Sequence, residues 1–476
     1  MSQKNETTIL WLSLIITVAL VVSGLWWLKN SGKDWGHLAG NLTSPGTNTP
    51  NEPTASNPPL SERISVGERL LIASDATPEK RAATEAIARG NYTEAVSQLE
   101  KARAANRNDP ETLIYLNNAR IGNQKSYEIA APIPLGSDVN SAREILRGVA
   151  QAQNEINQKG GIKGIPLKVL MANDDNKAAV AEQVANALVK NQDVLGVVGH
   201  FSSDVTIATG KVYQSGQLVA ISPASTSVQL SGFGNYIFRT VPSDRFAGNA
   251  LSRYMLTQSK RKKAAVFFNA SSNYSKSLKG EFTTALYGDG GQVVGEYDLG
   301  SSTFNAGDSV EQAVKQGAEV LMLAPNSSTV DKALQVVAVN RNRLQLLAGD
   351  SAYTPQTLQI GGSSAVDMVL AVPWHILADP QAEFPKAATQ VWGREVNWRT
   401  ALAYDASKAL IAGIERNPTR TGVQQALSSP EFSATGSSGD IKFLPSGDRN
   451  RPVQLVKIQP GTRTPWGFEF VPVPNK

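Results

Sequence analysis

The pattern of apolar and polar positions changes character along the chain, and each change predicts a different kind of element. Residues 9 to 28, ILWLSLIITVALVVSGLWWL, are 20 positions without a charged side chain. As a helix rising about 1.5 Å per residue they reach about 30 Å, enough to cross a bilayer. The run ends in Trp26 and Trp27 followed by Lys29, without the shorter apolar core and small-residue exit of a cleaved signal peptide. It predicts an uncleaved transmembrane anchor over 1–29. Lys4 and the amino terminus on one side face Lys29 and Lys33 on the other, so the flanking charges leave its orientation open. The next stretch, 30–69, contains PGTNTPNEPTASNPP; such Pro-, Asn-, Ser- and Thr-rich sequence buries too little apolar surface to repay ordering, which predicts a tether.

From Leu70 the period becomes helical. Ala83, Ile87, Tyr92, Ala95, Val96, Leu99 and Ala102 line one face, with Gly90 in the turn between two segments, which predicts a small all-α hairpin module over 70–124. Gly90, Tyr92, Ala95 and Pro110 stand near the places they hold in a tetratricopeptide repeat, which the stretch resembles for about one and a half units, fewer than an independent solenoid needs. Beyond Ser126 short apolar runs alternate with amphipathic segments: YEIAAPIPL, PLKVLMANDD, VLGVVGH and LVAISPAS in one series, then KAAVFFN, GQVVGEYDL, VLMLAP, LQLLAGD and VLAVP in a second. Strand and helix units of this length imply parallel sheets with right-handed crossovers. Two series in succession predict an α/β domain of two lobes over 125–476.

Composition narrows the function more than it identifies it. Apolar residues make up 41% and charged residues 18%, ordinary for a globular chain. The net charge of +5 is spread over 46 basic and 41 acidic residues. Its densest basic run, Lys260 to Lys263, precedes an apolar strand with no aromatic platform, so no nucleic-acid binding is expected. There are no cysteines, which removes disulfides, thiolate metal sites and the residue that carries a bacterial lipid anchor. No GxxxxGK[ST] loop, HExxH helix or GxSxG elbow is present, and His37, His200 and His375 are scattered. Asp174 and Asp175, at a strand end, read as cap and turn residues. The chain reads as a binder, with neither enzymatic activity nor cofactor.

INQKGGIKGIPLKVLMANDD at 156–175, VVGHFSSDVT at 197–206, VAISPASTSVQL at 219–230, FRTVPSD at 238–244, NYSKSLKGEF at 273–282 and ALAYDASKALIAGIER at 401–416 follow one another in an order and spacing that resembles the periplasmic type I solute-binding proteins of the leucine/isoleucine/valine-binding class, relatives of receptor ligand-binding regions. The resemblance implies two parallel-sheet lobes joined by a hinge, with a small solute, an amino acid, held in the cleft for delivery to an ABC-type permease. It also implies an extracytoplasmic, periplasmic main domain. Residue by residue, Ser203 matches the serine that receives the amino-acid carboxylate. Ala224 and Thr226 match the positions that hold both ends of the head group by backbone and hydroxyl. Asp350 stands where a carboxylate pairs with the ammonium, and Tyr274 matches the aromatic from the second lobe. Ser141 and Asn326 occupy places where amino-acid binders often carry an aromatic, so the resemblance does not carry branched-chain specificity with it. A zwitterion withdrawn from water needs donors for its carboxylate and an acceptor for its ammonium, and this set supplies both.

A second reading belongs to another class. Outer-membrane activators of peptidoglycan synthases also join a tetratricopeptide-like part to a domain of this fold, and there the fold serves a protein partner. Fold alone does not separate the two. The set of Ser203, Thr226 and Asp350 points to a ligand; the helical module points to a partner protein.

Overall fold

The computed structural model describes residues 58–379 and 381–474. The apolar run 9–28 and most of the tether lie outside them. Among the described residues no helix is long and apolar enough to cross a membrane.

The linker expected through 69 ends sooner. Leu60–Arg63 forms a helical turn, and β1 (Ile64–Ser65) pairs antiparallel with β3 (Leu167–Asn173) at the edge of the first sheet. Arg63 holds that edge through Asp175, 2.7 Å away. Three helices follow: α1 (Pro78–Ala88), α2 (Tyr92–Ala105) and α3 (Pro110–Ile121). Each opens on a side-chain cap, from Thr77, Asn91 and Asp109 respectively, and Pro at the first position of α1 and α3 costs no backbone bond there.

The first lobe carries a six-stranded sheet in the order β1-β3-β2-β4-β5-β6, built with β2 (Tyr127–Ile133), β4 (Val194–Val198), β5 (Ala220–Ser222) and β6 (Ile237–Arg239), parallel apart from β1. Its crossovers are α4 (Val139–Gln158), α5 (Ala178–Lys190) and α6 (Ser203–Ser215). The chain then passes to the second lobe through α7 (Asp244–Arg253). There β7 (Lys263–Phe268), α8 (Asn273–Gly288), β8 (Gln292–Asp298), α9 (Ala306–Lys315), β9 (Val320–Ala324), α10 (Val330–Asn340), β10 (Gln345–Ala348), α11 (Pro355–Gly361) and β11 (Val369–Val372) alternate. The chain returns to the first lobe with α12 (Glu383–Trp392), α13 (Trp398–Arg416), α14 (Arg420–Ser428) and the small ribbon of β12 (Ala434–Gly436) and β13 (Gly439–Ile441). It ends in the second with β14 (Gln454–Pro460) and β15 (Phe468–Pro472), which add antiparallel to give the order β15-β14-β11-β10-β9-β7-β8. Three passages between the lobes make the hinge.

Residues Pro58–Lys476 form one compact unit, with no division at 124/125. The reason lies in α3, where every residue except Arg120 is buried. Its hydrophobic residues Leu113, Ile114 and Tyr115 share a core with Ile72 and Leu99 on one side and Ile129, Ile145 and Leu146 of the lobe on the other. Polar contacts fix the register: Asn118 Nδ2 donates to Val66 O and Val169 O, each at 2.8 Å, and its Oδ1 accepts from Gln153 Nε2 at 2.8 Å. Inside the helices, Lys80 lies buried with Nζ 2.7 Å from Asp109 and 2.8 Å from Glu111. The helical segment is thus an outer layer of the first lobe.

α13 crosses α4 at close range. A Cβ on Gly148 would stand 2.2 Å from Thr400 O and 2.5 Å from Tyr404 N, so only glycine admits the approach. That contact sets the start of α13 beside the cleft.

Candidate functional site

In both lobes the strands run so that their carboxyl ends face one another, and the loops after them enclose a cleft of about 1320 Å³. This is the place where open α/β sheets take ligands. Its wall includes Ser141, Ser203, Ala224, Tyr274, Asn326 and Asp350, six of the seven residues expected from the sequence. Thr226 lies behind them, at an enclosed cavity of about 10 Å³ shared with Asp244, Tyr274 and Asp350.

From the first lobe, Ser202 caps α6 by accepting from Val205 N, which leaves Ser203, the first helical residue and 1% exposed, free of the capping task. Ser203 Oγ accepts from Ser227 N at 3.2 Å, and its O–H is left to donate. Ala224 follows β5, beside Ser222, whose Oγ donates to His200 O at 2.7 Å and accepts from Ser225 N at 3.0 Å. This network holds the SPAST turn against α6. The Thr226 hydroxyl is buried without a partner among the described residues.

From the second lobe, Ser272 caps α8 and Tyr274 stands in its first turn, its hydroxyl donating to Asp350 Oδ1 at 2.7 Å. Asp350 opens a single 3-10 turn after β10, where Gly349, the residue ahead of it, provides no side-chain cap. A Cβ on Gly349 would meet Leu278 Cδ2 at 2.3 Å and the Tyr274 hydroxyl at 2.4 Å, so glycine is needed for Tyr274 to reach Asp350. Burial pushes the Asp350 carboxyl above the usual carboxylate range, against the opposing pull of the Tyr274 hydroxyl and Arg399. Burial beside Asp350 also holds the Tyr274 phenol well above its ordinary value. Asn326 is committed to its own loop: its Oδ1 accepts from Asn269 Nδ2 at 2.9 Å and Thr329 Oγ1 at 2.8 Å. Ser141 sits in the first turn of α4, its backbone N–H capped by Asp138.

The lobes touch at one end of the cleft. Asp204 Oδ1 accepts from Asn273 N at 2.9 Å, its Oδ2 accepts from Ser272 Oγ at 3.3 Å, and Val228 N donates to Ser277 Oγ at 3.0 Å. Asp204, next to Ser203 in the sequence, thus joins the amino ends of α6 and α8, where helix dipoles favour a negative charge. Asp204 and Asp244 lie within VVGHFSSDVT and FRTVPSD, where the resemblance gives them no role, and Trp398 and Arg399 fall just ahead of ALAYDASKALIAGIER, outside any motif. His200 does not reach the cleft. It is fully buried behind it, with Nδ1 2.6 Å from Asp174 Oδ2 and Nε2 2.9 Å from the Tyr213 hydroxyl. Asp174 also accepts from Asn176 N at 2.9 Å, the turn contact expected of it.

Asp244 is a strongly perturbed carboxyl near the site: burial pushes it up to about 7, and its Oδ2 has no hydrogen-bond partner among the described residues. Below pH about 4 this group is protonated in folded and unfolded chains alike. Between about 4 and about 7 the unfolded chain releases a proton that the fold keeps, so stability falls as pH rises, by up to about 4 kcal/mol at about 1.4 kcal/mol per unit. His375, driven down from 6.5 to about 4 by burial, acts in the opposite sense over most of that window. The expected result is that Asp244→Asn gains stability relative to wild type in chemical denaturation as pH rises from 4 to 7, by up to about 4 kcal/mol; His375 acts in both proteins, so the difference between them isolates the decline due to Asp244. Equal slopes would remove Asp244 as its source.

Two facing lobes, a hinge of three passages and a cleft with polar groups from both sides define a two-lobed solute-binding protein. The comparisons agree. Residues 127–463 match the periplasmic binding protein family model, so the chain belongs to that family, which binds solutes and is not enzymatic. An amino acid binding protein of Pseudomonas aeruginosa is 36% identical over 132 residues, 28% of this chain and 35% of that one. The leucine-specific-binding protein of Salmonella typhimurium is 26% identical over 312 residues, 64% of this chain and 82% of that one. Among solved structures, a leucine binding protein from Thermotoga maritima superposes with a TM-score of 0.64 at 20% identity, covering 72% of this chain and 97% of that one, which shows the shared fold. The family implies an extracytoplasmic location.

Proposed function

We propose that this protein binds an amino acid in the cleft between its lobes, outside the cytoplasm, and presents it to an ABC-type permease. The observation that carries the reading is the convergence of Ser203 and Ala224 from one lobe with Tyr274 and Asp350 from the other on a single cleft. Ser203 O–H and the amino end of α6 receive the α-carboxylate, since a helix amino terminus offers unpaired N–H groups and a positive dipole. Asp350, oriented by Tyr274, takes the ammonium. A ligand bridging the two sides favours the closed arrangement in proportion to its differential contacts.

Residues 1–29 anchor the chain in the membrane and the tether holds the binding unit clear of the surface. Full-length protein is therefore expected in the membrane fraction with its amino terminus retained. Its melting temperature is expected to rise with at least one of the twenty amino acids, because a ligand that binds only the native state stabilises it by mass action. Recovery of a soluble form beginning near residue 30 would remove the anchor. No shift with any amino acid would remove the amino-acid reading and favour the partner-protein one.

A further inference from the structure

Buried arginines in this chain are, as a rule, matched by carboxylates. Arg239 meets Asp448 at 2.6 Å, Arg449 meets Asp405, and on the cleft wall Arg143 is paired with Asp75 and Arg147 with Glu144. Arg399 breaks the rule. It is the second residue of α13, placed by the N-cap Asn397, whose side chain accepts from Arg399 N at 2.9 Å. Only 5% of it is exposed, yet it lines the cleft. Its Nε has no hydrogen-bond partner, and among the described residues no carboxylate lies within ion-pair distance of its guanidinium. Its only contacts of note are aromatic: the guanidinium carbon stands 4.3 Å from the Trp398 ring centroid and 5.8 Å from that of Phe201.

Stacking on two rings compensates part of the cost of burying a cation, but it leaves the Nε–H unsatisfied and the positive charge without an ionic partner among the described residues. Removing a charge from water costs several kcal/mol unless an opposite charge and hydrogen bonds are supplied, and a guanidinium fork fits a carboxylate in a bidentate manner. Glu144, on the same wall, does not fill this role, being held by Arg147 and by Thr400 Oγ1 at 2.6 Å. Asp350 is close enough to feel Arg399 but is bonded to Tyr274. The anion that satisfies Arg399 therefore comes from the ligand. Resting on the amino-acid reading above, in which Ser203 and Asp350 take the two ends of the head group, we infer that Arg399 receives a second carboxylate and that the ligand is an acidic amino acid.

The test is calorimetric titration of the full chain with glutamate, aspartate, glutamine, asparagine and leucine, for wild type, Arg399→Gln and Arg399→Lys. Wild type binds glutamate or aspartate at least about 30-fold more tightly than the corresponding amide, the range expected for a charged hydrogen-bonded pair. Arg399→Gln erases that preference while still binding an amide, and Arg399→Lys keeps part of it. Leucine or an amide bound by wild type as tightly as the acids overturns the inference and leaves the amino-acid reading standing. Loss of all ligands alike in Arg399→Gln, with wild type showing no preference for acids, assigns Arg399 to the α-carboxylate and also overturns it. Absence of binding by any of the five to wild type overturns the reading beneath the inference and the inference with it. The wild-type ratio of acid to amide decides the matter even if a variant fails to fold.

Discussion

Asp350→Ala is expected to weaken amino-acid binding by about a hundredfold or more while changing the stability of the fold little. Removing one member of a desolvated charge pair leaves the other without compensation, a loss on the order of 3 kcal/mol or more. Asp244 is a poor substitute acceptor for the ligand ammonium, because burial pushes it up to about 7 and places it in the enclosed cavity behind. Stability moves little for two opposing reasons. The substitution leaves the Tyr274 hydroxyl without its acceptor, a cost of about 1–3 kcal/mol. It also removes a carboxyl that burial already disfavours in its charged form. Calorimetry with the tightest amino acid, beside a denaturation curve for each protein, separates the two quantities. A variant that binds as well as wild type would make Asp350 a turn residue.

Lys80→Ala is expected to destabilise the whole binding unit by about 3–5 kcal/mol, the usual effect of breaking a buried ion pair by removing one partner. Lys80 is 1% exposed and holds two carboxylates, Asp109 at 2.7 Å and Glu111 at 2.8 Å. Both have structural tasks of their own. Asp109 caps α3, and Glu111 Oε1 accepts from Leu71 N at 2.7 Å and Ile72 N at 3.1 Å. Without the lysine, two buried negative charges face one another at the amino end of the helix that joins the outer layer to the lobe. Because Leu113, Tyr115 and Ile145 belong to one core, the loss is expected to appear as a shift of a single cooperative transition in urea. A separate early transition confined to residues 58–124, with the rest unfolding as in wild type, would show the helical layer to be an independent module.

The alternation of apolar runs was sufficient to read β2 to β5 and β7 to β11, because strands buried on two faces leave short apolar stretches that helices separate, whereas β6 and the antiparallel β14 and β15 were not read from it. The cleft was legible for a related reason: ligand groups follow strand ends, and SPAST, FSSD and LLAGD each close a strand. What the period concealed was tertiary. The sequence of α3, PETLIYLNNARI, mixes apolar and polar positions all round the helix, which reads as a weak amphipath, whereas Asn117 and Asn118 are buried and hydrogen-bonded. β1 is only two residues long and sits beyond a Pro-rich stretch, too short for any pattern to register. Thr226 reads as a cleft residue by its motif but turns behind Tyr274 and Asp350, where Thr226 O accepts from Asp244 N at 2.9 Å. Arg399 lies in a helix whose visible signal is the apolar period of ALAYDASKALI. That its guanidinium reaches the cleft without a carboxylate partner follows only from the crossing of α13 on α4.

Bridging of Ser203 and Asp350 by one amino acid across the cleft is the contact on which the proposed function stands. Its most direct measurement is a calorimetric titration of ligand-free full-length protein with each of the twenty amino acids. The expected result is saturable heat with one site per chain and a dissociation constant of about 1 μM or lower for at least one of them, equivalent to about 8 kcal/mol or more. No saturable heat from any of the twenty, with folded protein in the cell, would contradict it.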